Sequence, residues 1–195
     1  DKYLLYFGSD GVRVIRSGWY KISSDKEIYV NSQGIVTDSR TPAKVLTGHS
    51  ASGWYKIKLS DGSTKLVYGY FDYDAENTII RELNEYRKAN GLKELTISQG
   101  LMEAARVRAY ECSYSFSHTR PDGTRCFSAS SEMFGENIAA GYPSAHAAMT
   151  GWKNSPGHDA NMRSAYYGTI GVGVFVAQSS DNFGYKYYYV QNFGY

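Results

Sequence analysis

Three side chains in this sequence are of the types that work at metal or acid/base centres: His118, Glu136 and His158. They fall within residues 116–162, FSHTRPDGTRCFSASSEMFGENIAAGYPSAHAAMTGWKNSPGHDANM, in three separate segments next to Gly, Pro or Ser. Two neutral imidazoles are good zinc ligands, and a nearby carboxylate can bind the ion directly or orient an imidazole N–H. With a position left open, such a site can activate water. The same three groups can instead hydrogen-bond backbone and tie loops together. Their spacing does not choose, because intervals this wide carry no local metal signature. Several other chemistries are absent from the sequence: it has no G-x-S-x-G elbow, H-E-x-x-H helix, Walker loop, dinucleotide glycine fingerprint or C-x-x-C. No nucleophile with a paired base is evident either.

The elements that would hold these residues follow from periodicity and caps. Ile79, Leu83, Tyr86 and Asn90 fall at helical spacing, and Gly91 supplies a left-handed stop. In a second helix Ser98 is the cap, Glu103 favours the positive end, and Leu101, Ala105, Arg108 and Cys112 form one stripe. Ala104, Ala105 and Ala109 would let another element approach that helix closely. A third helix is expected over residues 144–152. Ser155-Pro156 then opens a short helix with His158 in its first turn. Residues 136–139 read as a short strand or turn. Residues 169–176 and 186–193 read as an antiparallel pair, with Gly171 and Gly173 in the first strand. Helices first and strands last predict an α+β sandwich over residues 73–195.

Residues 1–72 read differently. Short Tyr, Val and Ile runs at residues 12–15, 19–22, 27–30, 54–59 and 65–68 alternate with turns such as Ser9-Asp10-Gly11 and Ser60-Asp61-Gly62-Ser63. A small all-β domain is predicted. It repeats itself, since Ser17-Gly18-Trp19-Tyr20-Lys21-Ile22 recurs as Ser52-Gly53-Trp54-Tyr55-Lys56-Ile57. The second copy, GWYKIKLSDGSTKLVYGYF, resembles the closing hairpin of bacterial SH3-like domains. That resemblance implies a role in cell-wall attachment; the Trp and Tyr residues can equally well just fill a small core.

Composition narrows the function classes. Lys and Arg total 21 against 19 Asp and Glu, too even a balance to argue for nucleic acid. No apolar run approaches the length of a transmembrane helix. Asp1-Lys2-Tyr3 lacks a signal-peptide pattern and a Met, as expected of a processed or trimmed product. The 19 Tyr suit strands and half-wet surfaces and fit a secreted, carbohydrate-rich setting. Tyr166, Tyr167 and Tyr187 to Tyr189 could form a carbohydrate-stacking face or simply fill a half-buried sheet. Cys112 and Cys126 flank His118, and a disulfide between them is expected to stabilise that loop by about 3 kcal/mol. Asn137 and Asn161 read as loop-fixing amides, Trp152 as core, His49 as an exposed loop residue, and His146 as a possible support for the site.

Taken together, several segments resemble the CAP superfamily, also called SCP-like extracellular proteins. They are Asn84-x-x-Arg87, Gly91-Leu92-x-x-Leu95, Phe116-Ser117-His118-Thr119, Gly135-Glu136-Asn137-Ile138 and Trp152-x-x-Ser155-Pro156-Gly157-His158-x-x-Asn161. The resemblance implies secretion and a CAP-type α-β-α sandwich with an antiparallel sheet. It also implies a cleft where the family's two His and two Glu face solvent. His118 matches the first His, Glu136 the Glu of the Gly-Glu-Asn motif, and His158 the second His. The fourth position holds Ser155 in place of Glu, as is usual for the bacterial branch, which weakens any two-carboxylate mechanism. The resulting expectation is an extracellular or cell-wall-associated protein rather than an enzyme. Its metal ligands would be His118, His158 and Glu136, its cofactor zinc or another divalent ion, and its partner a cell-wall or extracellular ligand. Such binding should weaken below about pH 6, where imidazole protonation competes. The alternative is a metal-dependent peptidase or cell-wall hydrolase with Glu136 as general base and His118 and His158 as its partners.

Overall fold

The computed structural model describes residues 17–23, 26–33, 35–40, 45–178 and 184–195. The expected strand at 12–15 and turn at 9–11 lie outside the described residues. The chain divides into two compact units, Asp1–Lys44 and Val45–Tyr195. In the first, β1 (Gly18–Ser23), β2 (Lys26–Val30) and β3 (Val36–Arg40) form an antiparallel sheet in the order β1-β2-β3.

The second unit begins upstream of residue 72, where the sequence placed the boundary. Its first hairpin, β4 (Gly53–Lys58) and β5 (Thr64–Phe71), belongs to the large sheet. The joining register is Gly69↔Ala177, Tyr70↔Val176 and Phe71↔Phe175, so the second copy of the repeat is an edge of this sheet and not part of a separate barrel. Packing explains the difference. Ile57, Val67 and Phe71 share one apolar cluster with Phe175, Ala105 and Ala109. At Gly69 an added Cβ would lie 2.3 Å from the Val176 carbonyl oxygen, so the bare backbone is what permits the close approach. Both copies of the repeat nevertheless do the same job, each forming the first strand of an antiparallel pair.

The remaining strands are β6 (Thr96–Ile97), β7 (Gly135–Ala140), β8 (Thr169–Ala177) and β9 (Tyr187–Gly194). The sheet order is β4-β5-β8-β9-β7, with β6 pairing β8 in parallel and every other pair antiparallel. The helices are α1 (Tyr73–Ala89), α2 (Gln99–Tyr114), α3 (Ala145–Lys153) and α4 (Pro156–Met162). Asp72, Ser98 and Ser144 cap the first three, each accepting a backbone N–H from its helix, and Gly91 takes the left-handed φ of +73° just past α1. No helix among the described residues is long and apolar enough to cross a membrane.

Alternation along the strands builds three layers. Phe175, Tyr188 and Val190 meet Ala105, Ala109 and Cys112 of α2 on one face. Val172, Val174 and Tyr189 meet Ile79 and Leu83 of α1 and Met149 and Trp152 of α3 on the other. Because both faces are covered, β8 and β9 are buried almost throughout. The closest contact is between α2 and β8: a Cβ at Gly171 would sit 2.0 Å from the Leu101 carbonyl carbon, and one at Gly173 would sit 2.3 Å from the Ala105 carbonyl oxygen. Neither neighbour is a side chain that can swing away. Gly171→Ala and Gly173→Ala are each expected to destabilise by about 1–3 kcal/mol, read as a lower urea midpoint. Midpoints equal to that of the parent would show that α2 can lift off the sheet freely.

Candidate functional site

His118 is held by a hairpin that the Pro121-Asp122-Gly123 turn creates. Asp122 accepts hydrogen bonds from the backbone and hydroxyl of Thr124, and Gly123 has a φ of +86° that favours glycine. Arg120 donates its backbone N–H to Thr124 (2.8 Å), Thr119 bridges Arg125, and Cys126 donates its backbone N–H to the His118 carbonyl (2.9 Å). The register therefore sets Cys126 across from His118. At the base of the loop, the Arg120 guanidinium grips Glu111 of α2 at 2.7 Å.

The expected Cys112–Cys126 disulfide is not present; both cysteines are free and buried. They face different surroundings. Cys112 sits in the α2 cluster with Phe175, and Cys126 in a separate cluster with Leu101 and Met133. Burial pushes the Cys112 thiol up to about 12, so it stays protonated. Hairpin hydrogen bonds and the Arg120–Glu111 pair close the loop in place of the bridge.

Glu136 enters from β7, whose pairing with β9 sets it opposite Asn192. Its side chain is almost fully buried, at 1% exposure, and Arg108 of α2 holds it there. Arg108 donates from Nε to Glu136 Oε2 (2.8 Å), from Nη1 to Glu111 Oε2 (2.7 Å) and from Nη2 to the Ser117 carbonyl. The other Glu136 oxygen accepts from His118 Nδ1 at 2.8 Å, although the His118 side chain is 56% exposed. Burial alone would raise the Glu136 pKa; hydrogen bonds from His118 and Arg108 outweigh it and hold the carboxylate below its usual range. A hydrogen bond with Cys126, and then the one with Glu136, raise His118 to about 9.

His158 lies in the first turn of α4, where Ser155 was expected to cap the helix. No side-chain cap bond forms. Ser155 Oγ instead shares a 2.8 Å hydrogen bond with His158 Nδ1 and so orients that imidazole. Burial and then the charge of His118 lower the His158 pKa, which makes the two imidazoles electrostatic neighbours. Asn137 and Asn161 act as the loop-fixing amides expected of them. Asn137 donates to the His158 carbonyl (3.1 Å) and to Gln191, and accepts from Asn161 (2.9 Å). Trp152 is core and donates to the Ile138 carbonyl. His146 pairs with Glu82 of α1 at 3.2 Å, and His49 bonds the neighbouring Ser50 carbonyl.

Distant residues fix α4. Arg87, fully buried, donates to the carbonyls of Met162 (2.8 Å) and Ser164 (2.9 Å), and the Tyr86 hydroxyl donates to Asp159 (2.7 Å). Asn84 is bonded in both directions to the Leu95 backbone. The Asn84-x-x-Arg87 motif is thus a clamp on two loops.

Together these elements leave an open pocket of about 380 Å³ whose lining includes His118, Cys126, Glu136, Asn161, Phe127 and Phe134. One ring nitrogen of His118, the Cys126 sulfur and one Glu136 oxygen all lie within 4.8 Å of one another. His118 and Glu136 are therefore brought together as expected, while His158 bonds Ser155 and stands outside that group. A nitrogen, sulfur and oxygen donor set suits zinc-like ions, and hard ions such as magnesium prefer oxygen alone. Arg108 and Cys126 are the site residues that reading the sequence missed. For Cys126 the usable signal was the Pro121-Asp122-Gly123 turn, which folds residue 126 back onto residue 118.

An α-β-α sandwich carrying this clefted His and Glu arrangement defines an SCP-type domain. The chain belongs to the CAP family, the cysteine-rich secretory protein family, whose model matches residues 80–193. It is 31% identical over 106 residues to the uncharacterized protein YkwD of Bacillus subtilis (strain 168), a match covering 50% of this chain and 41% of that protein. The match thus spans less than half the length of that relative. Among solved structures it is similar to an outer surface protein from Borrelia burgdorferi, with a TM-score of 0.51, 19% identity, and coverage of 73% of this chain and 98% of that one. It is also similar to an extracellular protein containing a SCP domain from Bacillus anthracis str. Ames, with a TM-score of 0.51, 18% identity, and coverage of 90% and 84%. At these identities the structural likeness speaks to the fold.

Proposed function

We propose that this protein works outside the cell or at the cell envelope as a binding protein, with a cleft that takes a divalent metal such as zinc at His118 and Glu136, and with His158, which stands outside their group, as the second imidazole. The observation carrying this reading is the chain of bonds from Arg108 to Glu136 to His118. A buried ion pair is costly to desolvate, and here it aims an imidazole that is itself exposed. Packing needs no such support for an exposed ring. A metal-binding histidine does, because a carboxylate on one ring nitrogen fixes the tautomer and orientation of the other. Ser155 serves His158 in the same way. The extracellular placement draws on the similar proteins, one an outer surface protein and the other an extracellular protein containing a SCP domain.

The hydrolase reading is less well supported. A general base works best with a pKa near the working pH. Hydrogen bonds from His118 and Arg108 hold the Glu136 carboxylate below its usual range instead. Zinc calorimetry on the parent and a His118→Ala/His158→Ala variant tests the proposal. The parent should give heats that the variant lacks, and equal heats would end the idea. Glu136→Gln is expected to weaken zinc by about 10–100-fold, as loss of a supporting carboxylate does. Turnover of peptidoglycan or protein that is abolished both by chelator and by Glu136→Gln would favour the hydrolase instead.

A further inference from the structure

The ion pairs around the pocket close on themselves. Arg108 and Arg120 face Glu111 and Glu136, two positive charges against two negative. That network leaves little net negative charge to meet a divalent cation, and imidazoles are neutral when they ligate. A further anionic donor is needed beside His118. The hairpin provides one: Cys126 lies directly across from His118, its backbone bonded to the His118 carbonyl, and its sulfur sits within 4.8 Å of both the His118 nitrogen and the Glu136 oxygen. Although only 4% exposed, Cys126 contributes to the pocket lining and has no disulfide partner.

We propose that Cys126 is a thiolate ligand of the metal site, paired with His118, so that the cleft selects zinc-like ions over magnesium and calcium. The inference rests on the metal-binding reading above and assigns that site its anionic donor. Thiolate with imidazole is a donor pair that favours zinc, cobalt and related ions, whereas a carboxylate with water suits the hard cations. The thiol must lose its proton to bind the ion. Cys112, buried against α2 with its thiol pushed up to about 12, is the contrasting cysteine and takes no part.

Cobalt titration of the full chain under reducing conditions gives a direct readout. Cobalt bound by sulfur shows an intense near-ultraviolet charge-transfer absorption that nitrogen and oxygen ligands do not give. The parent and Cys112→Ser should show this band, and Cys126→Ser and Cys126→Ala should lose it. Zinc affinity of both Cys126 variants should fall by at least about 10-fold, the lower end for loss of even a supporting partner. Magnesium and calcium should not displace cobalt. If cobalt and zinc bind through His118 without the band, and Cys126→Ser leaves zinc affinity unchanged, the thiolate assignment is wrong while the metal site stands. If neither ion binds the parent at all, both fail together. The band is read on the unmodified protein, so the test holds even if a variant folds poorly.

Discussion

Arg108→Ala should cost the fold about 3–5 kcal/mol, the usual penalty for removing one partner of a buried ion pair. Arg108 is fully buried and donates to two carboxylates and a backbone carbonyl, so its loss strands charge as well as volume. Glu111 keeps Arg120, but Glu136 keeps only the exposed His118. Arg108→Lys retains the charge without the forked geometry and should lose less. Urea denaturation of the three proteins measures this; an Arg108→Ala midpoint within error of the parent would show that the pocket rehydrates at no cost. Because Arg108 is one of the groups holding the Glu136 pKa down, its removal should also move that carboxyl upward.

Zinc affinity should rise by at least about 100-fold between pH 7 and pH 9, tenfold per unit for the His118 proton that binding must expel, and more steeply where Cys126 also gives up its proton. The bond to Cys126, and then the bond to Glu136, hold His118 protonated up to about 9 in the metal-free fold. A histidine free of these partners would titrate near 6.5, and its zinc affinity would level off there, in line with the window near pH 6 that the sequence alone implies. The structure moves that window upward. The stability linkage has a definite sign. The folded pKa lies above the unfolded one, so the His118 pairing stabilises the metal-free protein fully below about pH 6.5 and fades as pH rises through about 9. Zinc competition titrations across this range check the first effect, and denaturation midpoints with and without chelator check the second. An affinity that is flat above pH 7 would mean that Cys126 and Glu136 do not hold the proton on His118.

Local chemistry was readable wherever one residue decides a local structure. Asp72, Ser98 and Ser144 cap helices because their side chains accept nearby backbone N–H groups, whatever the rest of the chain does. Gly91 ends α1 for a similarly local reason. The β4–β5 hairpin was readable as a hairpin but not as part of the large sheet. Its alternating pattern is the same whether its edge closes a barrel or pairs β8, and only the match of Gly69 and Phe71 to Phe175 settles the choice. The cysteines misled for the same reason, since their separation fits a disulfide while their side chains enter different clusters.

Sequence by itself determined the family, helices α1 to α4 and the β8–β9 pair of the CAP unit, and the identities of His118, Glu136 and His158, because these depend on residue type and near neighbours. Tertiary structure alone decided the rest. Arg108 was marked in the sequence as a member of a helical stripe, and the packing of α2 on the sheet makes it the anchor of Glu136. Cys126 passed for half of a disulfide, and the hairpin register sets it beside His118. Ser155 passed for a cap, and the turn of α4 gives its hydroxyl to His158. In each case the deciding quantity is a distance between residues on different elements or turns, which local sequence patterns do not contain.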